Sequence, residues 1–351
     1  MSWYRMARLV GAMLGMTMAV APGVAADLEK SSISVMTYNV NGLPWPFASG
    51  RTKAFRRIET RLRAMRAAGA QPEVIVLQEA FTARAKQIAH NGGYRFVANG
   101  PLASLVNATP PSALDRLFSE RASTFKGETA GKLLDSGLQI ASDHPIISVK
   151  RLAFPAFACA GYDCLANKGV LLVTIQIPGY AIPVTVATTH LNSKRSSGVA
   201  LSRSLYAYRR QVDSINAFLK AQQDARLPII FVGDFNASNV ERRAYLFGRG
   251  VPSWAALAAR PVLSALDRCL NATPPCVGAV PPIAYFVRKR SRDWQFFRPG
   301  IRGSIEVERL SVLFGRELGG GMLSDHVGFG ITYRLEERGD PNVFLPFLSH
   351  S

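Results

Sequence analysis

Five short apolar runs in this chain meet residues that can hold a cation or move a proton. Val35–Tyr38 runs into Asn39-Val40-Asn41, Val74–Leu77 into Gln78-Glu79, and Ile182–Thr189 into His190. Pro228–Val232 runs into Gly233-Asp234-Phe235-Asn236, and Asp325-His326 directly precedes the run Val327–Tyr333. Strand ends in α/β proteins are where a sheet meets solvent, and sites collect there. Carboxylate and amide oxygens, without clustered Cys or His, suit a hard octahedral cation such as Mg2+. Two imidazoles offer both protonation states near neutral pH. Singly, each residue has an ordinary explanation: a Glu after a strand is usually solvated, Asp and Asn beside Gly favour turns, and a lone His is more often a hydrogen-bonded scaffold residue. Only the set, in its order, is specific.

The set resembles the endonuclease/exonuclease/phosphatase superfamily: TYNVNG at 37–42, LQEAF at 77–81, THLNS at 189–193, GDFNAS at 233–238 and SDHVGF at 324–329. The resemblance runs from about Ile33 to Leu335. It implies an α/β (α+β) fold, a four-layer sandwich of two packed mixed β-sheets flanked by helices, with the catalytic residues at one edge. It also implies roles. Glu79 is then the principal metal ligand, with Asn39 nearby, and Asp325 either ligates a metal or orients a histidine. His326 is the base that activates water, and His190 the acid or electrostatic partner at the leaving group. Asp234 and Asn236 position water and bind the charge developing on phosphorus. The implied cofactor is Mg2+, with Mn2+ or another divalent cation as the alternative.

Two more stretches, DSGL at 135–138 and ANKGV at 166–170, resemble the neutral sphingomyelinases within that superfamily. On this resemblance Asn41 and Lys168 contact substrate, Lys168 as a point charge near the phosphate; alone, Asn-Lys-Gly reads as a turn leading into a strand. The expected reaction is phospholipase C-type hydrolysis of sphingomyelin to phosphocholine and ceramide at a phospholipid membrane surface. The alternatives are a metal-dependent nuclease acting on nucleic acid, or a catalytically weak membrane-binding homologue. Trp45-Pro46-Phe47, and Trp294, Phe296 and Phe297 beside the basic run Arg288-Lys289-Arg290, are expected at the membrane interface, against the ordinary reading of core packing. The chain departs from the superfamily pattern twice. Asn41 stands where many nuclease relatives carry Asp. Ser311 stands where relatives place an Asp, in an Arg-hydrophobic-Asp strand, that orients the last histidine. His326 is therefore expected to lack its carboxylate partner unless Glu306 or Glu308 supplies one.

The elements that must position these residues follow from hydrophobic periodicity. Apolar, β-branched runs at Ile33–Tyr38, Val74–Leu77, Val170–Ile177, Ile182–Thr188, Ile229–Val232 and Val327–Tyr333 predict buried strands. Phe55, Ile58, Leu62 and Met65 predict one helix stopping at Gly69, and Leu201, Leu205, Tyr208, Val212, Ile215 and Leu219 predict another. The stretches 101–136 and 271–282 read as excursions from the core. Arg5 and Arg8, the apolar Leu9–Val20 and the small residues Val24-Ala25-Ala26 have the form of a secretory signal, too short to span a bilayer. The expected organisation is a signal over residues 1–26 and one catalytic domain over 27–351, in a secreted or periplasmic protein. The formal charge of +18 becomes +16 once Arg5 and Arg8 are removed, and favours polyanions without choosing between membrane and nucleic acid. Four cysteines in such a compartment permit two disulfides in three pairings. The local pairs Cys159–Cys164 and Cys269–Cys276 are preferred, and neither spacing suits a zinc site.

Overall fold

The structure is a computed structural model and describes residues 31–45, 48–257, 259–278, 282, 286–287, 293–317 and 321–337. The signal-like leader, Pro46-Phe47 and the basic run 288–290 lie outside the described residues. In chain order the strands are β1 (Ser31–Asn39), β2 (Val74–Gln78), β3 (Phe96–Asn99), β4 (Gln139–Ser142), β5 (Ile146–Ala153), β6 (Gly169–Ile175), β7 (Val184–His190), β8 (Ile229–Asp234), β9 (Leu263–Ser264), β10 (Asp293–Arg298), β11 (Gly303–Phe314) and β12 (Gly328–Glu337). They form two six-stranded sheets, ordered β11-β12-β1-β2-β4-β3 and β5-β6-β7-β8-β10-β9.

Each sheet is mixed, and each is built around one parallel pair. β1 lies parallel to β2, with Asn39 opposite Gln78, and β7 lies parallel to β8, with His190 opposite Asp234. Parallel neighbours present their C-terminal ends together, so each sheet delivers two polar ends to the same edge. The sheets pack face to face through Ile33, Val35, Val76, Val173, Val186, Val232 and Ile331. Strands buried on both faces need apolar residues at every position, which is why these segments read as continuous runs. Each fully buried Val or Ile stabilises the sandwich by roughly 1.5–3 kcal/mol.

The outer layers are helical. Phe55, Ile58 and Leu62 of the helix Arg51–Ala67 are buried at helical spacing, against Met36, Tyr38 and Ile75 of the first sheet. Tyr208, Val212, Ile215 and Leu219 of the helix Leu201–Gln222 do the same against Leu172, Ala187 and Phe231 of the second. Polar side chains also bridge the layers inside the core. Gln78 donates to Thr188 Oγ1 at 3.4 Å and Gln295 to the Val35 carbonyl at 3.2 Å. Both local disulfides, Cys159–Cys164 and Cys269–Cys276, are formed. Phe296 and Phe297, expected at a membrane, are instead 1% exposed. The alternation of β10 turns them into two cores, and half-buried Trp294 stacks parallel on Phe296.

Candidate active site

The four polar strand ends meet at the seam between the sheets. Asn39, at the end of β1, is fully buried; its Nδ2 donates to Glu79 Oε1 at 3.0 Å and, across the seam, to Asp234 Oδ2 at 3.3 Å. Two backbone devices bring Glu79 there. Its φ of 58° is left-handed, a conformation that costs a non-glycine residue on the order of 1–3 kcal/mol, and it turns the chain sharply after β2. Gly42 lets the first loop pass close by, because a Cβ at that position would lie 2.2 Å from the Glu79 carbonyl oxygen. Asn41 and Asn236, with φ of 50° and 46°, are left-handed too, so three of the four described non-glycine residues with positive φ belong to this site.

Asp234 is the hub. Its Oδ1 accepts the Asn236 N–H at 2.9 Å, while its Oδ2 lies 3.5 Å from His190 Nε2 and 3.7 Å from His326 Nε2. The opposite nitrogen of His326, Nδ1, lies 2.9 Å from Asp293 Oδ2 at the start of β10. That carboxylate answers the expectation that His326 would lack one. Ser311 faces Gly330 within the β11–β12 ladder, Glu306 pairs with Arg268 and Glu308 with Arg334. The orienting acid comes from the other sheet, in an Arg292-Asp293 step without the intervening apolar residue of the superfamily pattern.

Lys168 approaches the same nitrogen of His190, with Nζ 3.4 Å from His190 Nε2, 2.6 Å from Asp163 Oδ1 and 3.2 Å from the Leu191 carbonyl. Asn236 Nδ2 donates to the same Leu191 carbonyl at 2.9 Å. The loop carrying Asp325 and His326 is tied to β1 by Ser324, whose hydroxyl donates to the Asn39 carbonyl at 2.6 Å. Arg51 ties it again, donating to the carbonyls of Asn41, Val40 and Leu323 at 2.6–2.8 Å. These side chains open into a cleft of about 170 Å3. Glu79, Lys168, His190, Asp234, Asn236, Asp325 and His326 line it with Tyr162, Asp163, Ser193 and Ser196, and Leu43, Phe81, Leu134, Leu165 and Ala166 add apolar surface.

Burial raises the pKa of Glu79 to about 7, against the opposing pull of Asn39 and Lys168. Burial alone would lower that of His326, but Asp293, Asp234 and Asp325 outweigh it and raise the pKa to about 10. Three carboxylates, those of Asp234 and Asp293 buried and that of Asp325 exposed, gather around one imidazole. The donors are oxygens and imidazole, and all four cysteines are tied in disulfides. The residues therefore fit a hard divalent cation. Asp234, Asp293 and His326 are the one trio of such side chains among the described residues whose donor atoms lie within 4.8 Å of one another. Within that trio, His326 Nδ1 is already engaged by Asp293, which leaves Glu79, Asp234 and Asp325 to face the cleft.

Of the residues singled out from sequence, Asn39, Glu79, Lys168, His190, Asp234, Asn236, Asp325 and His326 converge. Asn41 contributes its backbone, donating its N–H to Asn39 Oδ1 at 3.0 Å, and its side chain is not among those lining the cleft. Asp293, Arg51, Asp163 and Ser324 were not singled out. Ser324 lies inside a motif already quoted and Asp163 three residues before one, whereas Arg51 carries no local signal.

The chain matches the model of the Endonuclease/Exonuclease/phosphatase family over residues 36–326. Among solved structures it is similar to humanized TDP2 of D. rerio, at 14% identity and a TM-score of 0.54, covering 86% of this chain and 98% of that one. It is similar to sphingomyelinase C from Streptomyces griseocarneus at 21% identity and a TM-score of 0.51, covering 87% and 99%. Beta toxin from Staphylococcus aureus, solved as a double mutant with bound magnesium ions, is similar at 17% identity and a TM-score of 0.51, covering 86% and 99%. Likeness at these identities speaks for the shared fold. A search of curated proteins found no match.

Proposed function

This chain belongs to the endonuclease/exonuclease/phosphatase family, a family of phosphodiesterases, and on that premise we propose that it is an exported, Mg2+-dependent enzyme that hydrolyses sphingomyelin to phosphocholine and ceramide. The observation that carries the lipid reading is the mixed lining of the cleft, where Leu43, Phe81, Leu134 and Leu165 share the walls with the charged and polar residues. A diester with one charged and one apolar arm fits such a space better than a uniformly anionic polymer does. The 166–170 block adds Lys168, held beside His190. Export is supported by two disulfides, which persist in oxidising compartments, and by the signal-like leader. No helix among the described residues is long and apolar enough to cross a membrane.

In this reading His326 takes the proton of the attacking water through Nε2, while Asp293 holds the ring and stabilises the imidazolium that forms. Asp234, within reach of both histidines, fixes the line between base and leaving group. Lys168 and Asn236 neutralise charge on the phosphoryl oxygens, and His190 returns a proton to the departing alkoxide. Glu79, with Asn39 behind it and Asp325 across the cleft, would hold the divalent cation. When bound, that cation polarises a phosphoryl oxygen and offsets the carboxylate field that keeps His326 protonated.

The formal charge of +18 favours a second reading, a nuclease using the same residues, because phosphate contacts dominate nucleic-acid affinity. The two separate in one experiment. The purified chain is incubated with Mg2+ and either sphingomyelin vesicles or supercoiled plasmid, with Glu79→Ala as control. Phosphocholine release without nicking is expected, and the variant should lose at least about 10²-fold, beyond the roughly 10–100-fold seen for residues that merely support ligands. Nicking without phosphocholine would transfer the conclusion to the nuclease.

A further inference from the structure

Of the described large apolar side chains that are at least half exposed, six (Leu102, Val106, Leu114, Leu117, Phe125 and Leu133) fall within residues 102–133, against four (Trp45, Ile147, Val240 and Val277) in the rest of the chain. Phe125 is 95% exposed and Val106 83%. Scattered surface leucines need no explanation, but their concentration in one segment does.

The segment that carries them is firmly anchored. The Asn167 side chain donates to the carbonyls of Leu102 and Leu105 at 2.7 and 2.8 Å, and the N–H groups of Leu133 and Leu134 both donate to the Leu165 carbonyl. Glu128 accepts the Gly161 N–H and pairs with Arg203. In the helix Ala113–Glu120, Asp115 and Phe118 face inward, onto Arg210 and Tyr206 respectively, while Leu114 and Leu117 point to solvent. The anchor points Leu134, Tyr162, Leu165 and Ala166 themselves line the cleft. Phe125, whose carbonyl accepts the Tyr162 hydroxyl at 3.5 Å, and Leu133, next to Leu134, thus adjoin the cleft lining, while the helix carrying Leu114 and Leu117 is held beside them on Arg210 and Tyr206.

We propose that the 102–133 segment is a docking surface for an anionic phospholipid bilayer, a proposal that rests on the lipid reading above and gives that site its membrane. Charge selects the occupant. Of the segment's three acids, Asp115 and Glu128 are turned inward onto Arg210 and Arg203, and only Glu120 is left outward. Arg116 and Arg121 remain exposed. Lys126 lies over the Tyr162 ring and next to Gly198, and so adjoins the exposed Lys194 and Arg195. Apolar knobs among cations match the acyl boundary and headgroups of an anionic leaflet. A bilayer held there would present its lipids to the Leu134–Leu165 wall, the apolar approach to His190 and Lys168.

The test uses the purified chain and sedimentation with vesicles of phosphatidylcholine, with and without phosphatidylglycerol, and with sphingomyelin added for the hydrolysis assay. The variants are Leu114→Glu/Leu117→Glu and Phe125→Glu, with Val240→Glu as a remote control; thermal melts establish that each is folded. Partition onto anionic vesicles should fall by about tenfold or more in the first two variants, with Val240→Glu unchanged, and wild-type binding should weaken with salt. Wild-type partition in the 102–133 variants would overturn the proposal. So would a wild-type dimer that these variants dissociate, with no vesicle binding, because the surface would then belong to a second copy of the chain. Vesicle binding lost in the variants, but no phosphocholine released by wild type, would keep the docking surface and remove the sphingomyelin reading. Phosphocholine release with unaltered variants would do the reverse.

Discussion

Whether His326 can work as a base turns on a residue 33 positions away in sequence. Asp293 does two things to it, fixing the ring through Nδ1 and contributing the attraction that helps lift its pKa to about 10 against burial. These effects separate by pH. In Asp293→Asn the pKa of His326 should fall, so the acid limb of kcat/KM moves to lower pH. The plateau should drop by about 10²–10⁴-fold, because the imidazolium loses its stabilising charge. A pH profile that falls uniformly without moving would assign Asp293 a purely structural role. Motif blocks made most of the constellation legible, since Glu79, His190, Asp234 and His326 each follow or precede an apolar run. Asp293 was not legible because the residue in its expected place, Ser311, is in register with the wrong strand, and only the pairing of β10 with β8 brings Asp293 opposite Asp234.

At the scale of elements, short pieces carry the positioning. The helix Ala113–Glu120 is capped by a box in which Ser112 and Asp115 bond reciprocally, and Asp115 also accepts from Tyr206 and pairs with Arg210. Burial would raise the Asp115 pKa, but these partners together hold it below the usual carboxylate value. With the folded pKa depressed, the stabilisation is complete above the unfolded value near ~3.9 and is lost as pH falls through and below it. Asp115→Asn should therefore cost about 1–3 kcal/mol at pH 6 and much less near pH 3, read as urea midpoints at the two values. Gly42→Ala is expected to lower both stability and activity, because the new methyl would push the Glu79 carbonyl out of place; a melt and the phosphocholine assay check it. Three of the strands missed in sequence lack an unbroken apolar run. β5 carries Lys150 and Arg151 on exposed positions, and β11 sets Glu306, Glu308 and Arg309 among its apolar residues, so neither shows an unbroken apolar run. β4 buries Gln139 and Ser142, and Gln139 is held by bonds to Asn99 and the Lys86 carbonyl rather than by hydrophobic packing.

For the whole molecule, the layered class was readable from runs that alternate with helical stripes, whereas the sheet order was not, because it depends on which ends of distant strands pair. The two disulfides close loops of 5 and 7 residues, and each should contribute about 2 kcal/mol by restricting the unfolded chain. Reduction ought to lower the urea midpoint accordingly, with an unchanged transition slope.

The residues of the proposed site come from both halves of the sandwich: Asn39, Glu79 and His326 from one sheet, His190, Asp234 and Asp293 from the other. On the proposed mechanism the cleft should act as a vernier, with a small slip of one sheet past the other breaking the site before either sheet melts. Turnover in rising urea should vanish at a lower concentration than the far-ultraviolet circular dichroism signal does, and coincident curves would mean the halves never part company except by unfolding.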